Sequence, residues 1–482
     1  MSRKEGNFMS SQLESNSQLS NKGRLTLMAV LLSGAFAAIL NQTLLATAIP
    51  HIMADLDLEA DVAQWLQSVF MLVNGIMIPV TAFLISKFST RALFFTALSF
   101  FGIGTLVCGI SPNFPVLMAG RVLQAAGAGI IMPLMQTILF LIYPRDQRGK
   151  AMGMFGLVIS FAPAIGPTLS GWFIDIYPWR GLFYMLIPIV IIDLIIAYFI
   201  LRNVTEQTDP KLDVISIILS TLGFGGLLYG FSVAGNSGWL SPAVIISLIV
   251  GAVTLYIFIR RQNSLEQPIL EFAVFKDRIF TLTTALGMIV FMAMIGGSVI
   301  LPILMQNMLG FSAMASGMML FPGAIIMGIM SPITGRLFDK YGARWLAIIG
   351  LAIVAVTSLM FTTLDTETTF TYLAVVNAFR MLGVSMVMMP VTTAGLNQMT
   401  KKLVPHGTAM NNTMRQVAGA VGTALLVSIM TNTMIPEQGA EGMIRGVNIS
   451  FMFAGGLALI GFLLAFRLKN PDITEYDEAY DN

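Results

Sequence analysis

Hydrophobic positions in this chain come in long runs rather than in alternation. Stretches of about 20 apolar residues recur from residue 25 to residue 467, each closed by a short polar cluster. At 1.5 Å per residue such a run matches the hydrocarbon thickness of a bilayer, so each reads as a transmembrane helix. The pattern predicts fourteen, at 25–49, 63–85, 92–110, 115–142, 151–174, 181–201, 213–233, 241–260, 279–306, 314–337, 344–364, 369–399, 406–431 and 446–467. The longest polar stretch between them, 261–278, is too short for a soluble domain. The chain is expected to be an all-α polytopic membrane protein whose function lies within the bilayer.

Composition agrees: 56% of the 482 residues are hydrophobic and 11% are charged, against about 25% charged in soluble domains. The net charge of +2 matters less than where the charges fall. Lys and Arg collect in cytoplasmic loops. With both termini cytoplasmic, only Arg180 and Arg445 fall in outside loops, and Arg121, Arg380 and Arg415 lie within spans; the other basic residues fall inside. The outside loops hold acids such as Asp55, Asp57, Glu59 and Asp61. Residues 1–24 are polar and have no apolar core of a cleaved signal, so the first span is expected to insert uncleaved. The single cysteine, Cys108, reads as a small buried hydrophobe.

An internal repeat organises the spans. "GRLFDKYGAR" (335–344) follows span ten and "AFLISKFSTR" (82–91) follows span two, sharing Leu, Lys and Arg at an offset of 253. Arg121 and Arg380 recur at an offset of 259. That offset is the length of six spans plus two more. The expected organisation is a cytoplasmic tail (1–24), a six-helix bundle (25–201), two inserted helices with their loops (202–278), a second six-helix bundle (279–467) and an acidic tail (468–482).

Parallel six-span repeats are a transporter architecture, with the substrate site between the halves. With "GRLFDKYGAR" similar to the loop motif G-x-L-x-D-[RK]-x-G-x-[RK], and "APAIGPTLSGW" (162–172) similar to the antiporter motif G-P-x-x-G-G, the chain resembles the major facilitator superfamily. The closer resemblance is to its fourteen-span drug:proton antiporter branch, the EmrB/QacA group, and it covers residues 25–467. It implies a major-facilitator fold and a gating loop in which Gly335, Gly342, Asp339, Lys340 and Arg344 latch one conformation. In the first copy Ala82, Ser86 and Ser89 replace Gly, Asp and Gly, leaving Lys87 and Arg91. The antiporter motif supplies Pro163, Gly166, Pro167 and Gly171, with Ser170 in place of one glycine. Its prolines would interrupt the helical ladder, and its small residues would admit a neighbouring helix.

Polar residues inside spans are costly and mark function. Arg121, in "RVLQAAGAG" with Gln124, matches the family's coupling arginine. Asn41, in "LNQTLLATAIP" (40–50), stands where the family often has an acid, and Pro50 is expected to end that helix. Asn41 and Arg121 lie about 12 Å and about 9 Å from the outer ends of adjoining helices, so they are expected to meet in the cavity. Asp193, in "VIIDLIIAYF", is the one acid deep in a span and the candidate proton carrier; Arg415, in "NNTMRQVAGAVG", is a further cavity candidate. The 34 methionines cluster at 318–330 and 381–390 and suit an adaptable pocket.

The expected function is proton-coupled efflux of lipophilic, cationic or amphipathic drug-like molecules by alternating access. The partners are the small-molecule substrate, protons and the lipid bilayer of the cell membrane, with no nucleic acid, and the chain is expected to act as a monomer. A dedicated exporter of an endogenous metabolite or signalling molecule would share this architecture. A non-transporting membrane sensor would leave the intramembrane charges without a use. No G-x-x-x-x-G-K-[ST] loop is present, and His51 and His406 stand far apart. The chain is therefore not expected to be ATP-driven, to be an enzyme, or to hold a metal or cofactor.

Overall fold

The computed structural model describes residues 21–469 except 175, 206 and 209; residues 1–20 and 470–482 of the two tails lie outside the described residues. Among the described residues, fourteen membrane-length helices make up the fold. They are α1 (Asn21–Leu56), α2 (Ala60–Lys87), α3 (Thr90–Gly109), α4 (Phe114–Ile142), α5 (Arg148–Ile174), α6 (Gly181–Ile200) and α7 (Val214–Ser237). There follow α8 (Pro242–Gln262), α9 (Arg278–Ile303), α10 (Ala313–Tyr341), α11 (Ala343–Met360), α12 (Phe370–Leu396), α13 (Val404–Thr433) and α14 (Gly439–Ala465).

Local chemistry sets many of the boundaries. Ser89, Asn113, Asp277, Ser312 and Thr369 each cap a helix, their side-chain oxygens accepting a first-turn N–H, which satisfies a donor the helix itself cannot. Gly342 separates α10 from α11 at φ 75°, a conformation open to glycine without a Cβ penalty.

One expectation is corrected. Pro50 does not end the first helix: α1 runs through it to Leu56 and stops at Asp57, φ 51°. A proline removes one ladder bond, and here the end of α1 beyond it is held from outside, by Arg180 and Trp179 on Asp55. Helix α5 carries Pro163 and Pro167 within one helix, from Arg148 to Ile174.

The fold is two six-helix bundles with two inserted helices. In the first bundle α1 packs on α4, α5 and α6, α2 on α4, and α3 on α4 and α6. The second repeats the set eight helices later: α9 on α12, α13 and α14, α10 on α12, and α11 on α12 and α14. The inserted α7 and α8 pack on each other, and α7 also lies on α2 and α13. Helix α8 turns Ile246, Ile249, Val253 and Tyr256 outward, as lipid permits and water would not. Alternating helix direction puts the loops carrying Lys87, Arg91, Arg145, Lys150, Lys340, Arg344, Lys401 and Lys402 at one end, which we call the basic face. The bundles meet along two seams of unequal extent. Seam α5–α10 is broad and direct, whereas α2–α13 is narrower and has α7 lying along it.

Candidate functional site

Three clusters of buried polar residues and one cleft stand out. The first is a gate at the basic face. The Asp339 carboxylate at the end of α10 accepts the backbone N–H groups of Gly149 (2.7 Å) and Lys150 (2.8 Å), at the start of α5. Those amides are the free donors of a helix N-terminus, where the macrodipole also favours an anion. Arg148 lies alongside, its Nη1 donating to Asn397 Oδ1 (2.9 Å) and its guanidinium over Phe140. A third tie between the bundles joins Asn412 Nδ2 on α13 to Gln136 Oε1 on α4 at 2.5 Å. Glycines make the approach possible. A Cβ on Gly149 would strike Gly335 and Asp339, one on Gly153 would strike Ser331 and Pro332, and one on Gly335 would strike Gly149.

Gly335 and Asp339 thus sit in this gate, and Gly342 ends α10 three residues beyond Asp339. Lys340 lies over the Tyr341 ring and Arg344 over the Trp345 ring. The first copy is fastened differently, within its own bundle and linker. Lys87 Nζ donates to the Pro210 carbonyl (3.4 Å), and Arg91 Nη2 donates to the Tyr198 carbonyl (2.8 Å). The sequence reading did not single out Arg148, Asn397, Gln136 or Asn412. Its available signal was Gly149, Gly153 and Gly156, a small-residue stripe that lets backbones touch.

The second cluster surrounds Arg121, fully buried on α4. Its Nε donates to the Leu66 carbonyl (3.1 Å), its Nη1 donates to Gln124 Oε1 (2.9 Å), and its guanidinium covers Phe70. Gln124 Nε2 in turn donates to Thr105 Oγ1 (2.9 Å) and Asn41 Oδ1 (3.3 Å). Arg121 Nη2 and Asn41 Nδ2 have no partner. Arg121, Gln124 and Asn41 therefore come together, and no carboxylate joins them in these bonds. Arg415 lies elsewhere, over Phe291 of α9. Arg380, the repeat partner of Arg121, donates to the Ala293 carbonyl of α9 and lies over Phe451.

The third cluster is Asp193 on α6. Ser33 Oγ on α1 donates to its Oδ1, while its Oδ2 is buried without a partner. Asp193 faces the α1–α6 seam, one helix away from the gate.

Helix α1 connects these clusters with the antiporter motif. Gly166 of α5 abuts Thr43, so a Cβ there has no room. Thr47 Oγ1 donates to Ser170 Oγ (2.5 Å), which donates to the Leu44 carbonyl (2.8 Å). Pro163 is exposed, Gly171 has open space where a Cβ would go, and Pro167 lies in the helix with its side chain outside the described residues. Only Gly166 among the motif's glycines makes a close approach.

At the end away from the basic face, the α5–α10 seam opens into a cleft of about 300 Å³ lined by Ile165, Leu169, Trp172 and Phe321. Most of the clustered methionines do not reach it: Met319, Met327, Met381, Met388 and Met389 are buried in helix packing. Two ion pairs fasten loops outside the spans. Arg180 on Asp55 (2.6 Å) holds that carboxyl below its ordinary pKa. Arg261 grips Asp213 with two hydrogen bonds and holds it at about 2.

Two pseudo-equivalent bundles, latched at one end and cleft at the other, define a transporter rather than a soluble catalyst. Sequence comparison makes the class particular: residues 31–423 match the Major Facilitator Superfamily, and the chain belongs to it. Its fourteen helices fit the fourteen-span drug:proton antiporter branch. It is 54% identical to the uncharacterized MFS-type transporter YcnB of Bacillus subtilis, over 93% of this chain and 96% of that one. It is 41% identical to the lincomycin resistance protein LmrB of Bacillus subtilis, again over 93% and 96%. Among solved structures, the human organic anion transporter MFSD10 (TETRAN) superposes with a TM-score of 0.66 at 15% identity, covering 92% of this chain and 99% of that one, a likeness of fold.

Proposed function

We propose that the chain is a proton-coupled efflux transporter for lipophilic, amphipathic drug-like compounds, working by alternating access in the cell membrane with both termini cytoplasmic. The observation that carries the reading is the polarity of the bundle interface. Asp339, Arg148 and Asn412 tie the bundles together at the basic face, while the same seam stands open as an apolar cleft at the other end. With the basic face cytoplasmic, as its Lys and Arg loops favour, this is an outward-open state poised to release cargo outside. The 41% identity to a lincomycin resistance protein supports export of a drug-like molecule.

Cargo with a net positive charge is disfavoured. Away from the helix ends, the buried charged side chains among the described residues are Arg121, Arg380 and Arg415 against Asp193, and Asp193 is turned to Ser33 rather than to the cleft. Neutral or zwitterionic amphipathic cargo fits better than a cation. Asn41 cannot carry a proton; Asp193 can. Protonation of Asp193 removes the charge that Ser33 binds and so loosens α1 from α6. Helix α1 grips α5 through Thr43 and Thr47, and α5 holds the gate amides at one end and the cleft wall at the other. Proton and cargo then meet different seams, with α1 as the mechanical link, and each biases the same two-state equilibrium.

The test is cargo-evoked proton flux in proteoliposomes, for the wild type and for Asp193→Asn. The expected result is proton movement with lipophilic cargo that the variant abolishes while still binding cargo. Full coupling in Asp193→Asn would remove that residue from the role. Wild-type export with no proton movement would refute proton coupling itself.

A further inference from the structure

The two seams between the bundles differ in a way that assigns the cleft a ligand. Along seam α2–α13 the inserted helix α7 lies on both bundles. Tyr229 stacks on Trp65 of α2 at 5.8 Å, and Leu228 and Gly225 fit against Gly75 and Ile76. On the other bundle, Trp239, just beyond α7, donates to Ser428 Oγ of α13 at 2.6 Å, and Ala234 packs with Ala424. Lipid therefore meets α7 and α8 there, not the junction of the bundles.

On seam α5–α10, by contrast, Trp172 and Phe321 stand exposed at the cleft. Phe161, Ile165, Leu169 and Trp172 recur at helical spacing on one face of α5. The Phe161 ring lies on Gly328 of α10, one turn further from the outer end than Ile165. Beyond it Ile165, Leu169 and Trp172 face Phe321 across open space. The wall is built of carbon, and Trp172, 60% exposed, stands near the end of the span where a membrane protein places amphipathic rings. The volume is at the lower bound for a small-molecule pocket, enough for part of a cargo rather than all of it. The cleft is also continuous with the α5–α10 interface whose other end forms the gate.

We propose that this cleft is the single lateral portal of the transporter. The apolar part of an amphipathic cargo lodges between Trp172 and Phe321 and passes between the bilayer leaflet and the interior through seam α5–α10, while α7 shuts the equivalent route at seam α2–α13. The proposal rests on the efflux reading above and names where its cargo enters or leaves.

The experiment uses the full chain with Cys108→Ser, in proteoliposomes, with one cysteine introduced at Leu169→Cys or Ile76→Cys. A membrane-dissolved alkyl maleimide is the probe, and a lipophilic compound that the wild type exports is the competitor. Leu169→Cys is expected to react readily and to be protected at least tenfold by the competitor, whereas Ile76→Cys, beneath α7, stays unreactive. Equal reaction at both sites would overturn the single portal. Reaction at Leu169→Cys without protection would mean that lipid chains alone occupy the cleft, which also overturns it. In parallel, Trp172→Ala with Phe321→Ala is expected to raise KM at least tenfold for a strongly lipophilic cargo, and an unchanged KM for that cargo would overturn the portal. KM for a water-soluble cargo should change less than twofold. A wild type that exports nothing would instead defeat the efflux reading, so the two failures are separable.

Discussion

Replacing Asp339 by Asn tests the gate most directly. The wild-type carboxylate accepts two amides, from Gly149 and Lys150, at the first turn of α5. Hydrogen bonds to an ionised acceptor contribute about 1.5–3 kcal/mol each, and an anion at a helix N-terminus adds about 0.5 kcal/mol. The amide of Asn keeps one carbonyl acceptor and turns an NH2 toward the second donor, so the closed gate loses roughly 2.5 kcal/mol, combining those terms. At 1.4 kcal/mol per decade this shifts the closed:open ratio about 60-fold. A gate that rests closed by less than that factor would rest open. The assay is a distance distribution between spin labels at Arg202→Cys, just beyond the end of α6, and Lys402→Cys, between α12 and α13, in a Cys108→Ser background. Asp339→Asn should broaden the distribution toward longer distances and reduce export more than tenfold, while Lys340→Gln leaves the distribution close to wild type. A wild-type distribution in Asp339→Asn would refute the latch.

Gly149→Ala places a methyl against the Gly335 carbonyl and the Asp339 carboxylate; export should fall at least tenfold with little loss of thermal stability, and wild-type export would refute the close approach. Gln124→Leu removes an acceptor of the buried Arg121 and the link to Asn41 and Thr105. It should cost about 2–3 kcal/mol, the range for a lost bond to a charged group, seen as a lower Tm in detergent. Asp213, held at about 2 by Arg261 against an ordinary 3.8, stabilises the α7–α8 pair above pH 4 and loses that contribution as pH falls toward 2. At about 1 kcal/mol for a partly exposed pair, Asp213→Asn should melt earlier than wild type at pH 6, and the difference should vanish near pH 2.

What the sequence disclosed depended on how local each determinant is. Span number is a property of apolar run length, and the fourteen runs became fourteen helices. Arg121 and Gln124 stand three residues apart on one helix, so their contact was readable, and helix depth brought Asn41 to them. Pro50 misled because its effect on one ladder bond was taken as decisive, whereas contacts at Asp55 from Trp179 and Arg180, more than 120 residues away, hold the helix end. The partner of Asp339 was hidden for the same reason: the amides of Gly149 and Lys150 lie about 190 residues distant and belong to the backbone, which no side-chain pattern marks. Ser33 was likewise invisible as the companion of Asp193, since depth along two helices does not fix which faces meet.

The unequal seams and the unequal loop copies have one physical reading. A two-bundle fold with exact internal symmetry would close its basic face twice, once through the α10–α11 loop onto α5 and once through the α2–α3 loop onto α13. The second closure is missing because Ser86 stands where Asp339 has its carboxylate; Lys87 and Arg91 are turned to Pro210 and Tyr198 instead. A bundle pair latched on one side would splay on the other unless something else spanned that seam. Helix α7 does so, through Trp65–Tyr229 on one bundle and Trp239–Ser428 on the other. A ring stack and a neutral hydrogen bond lack the switchable charge of a latch, so they hold the seam without marking one state. The insertion and the degraded first motif are thus complementary. One seam becomes a hinge flanked by α7, and the other, with Asp339 at one end and Trp172 at the other, carries the opening and closing.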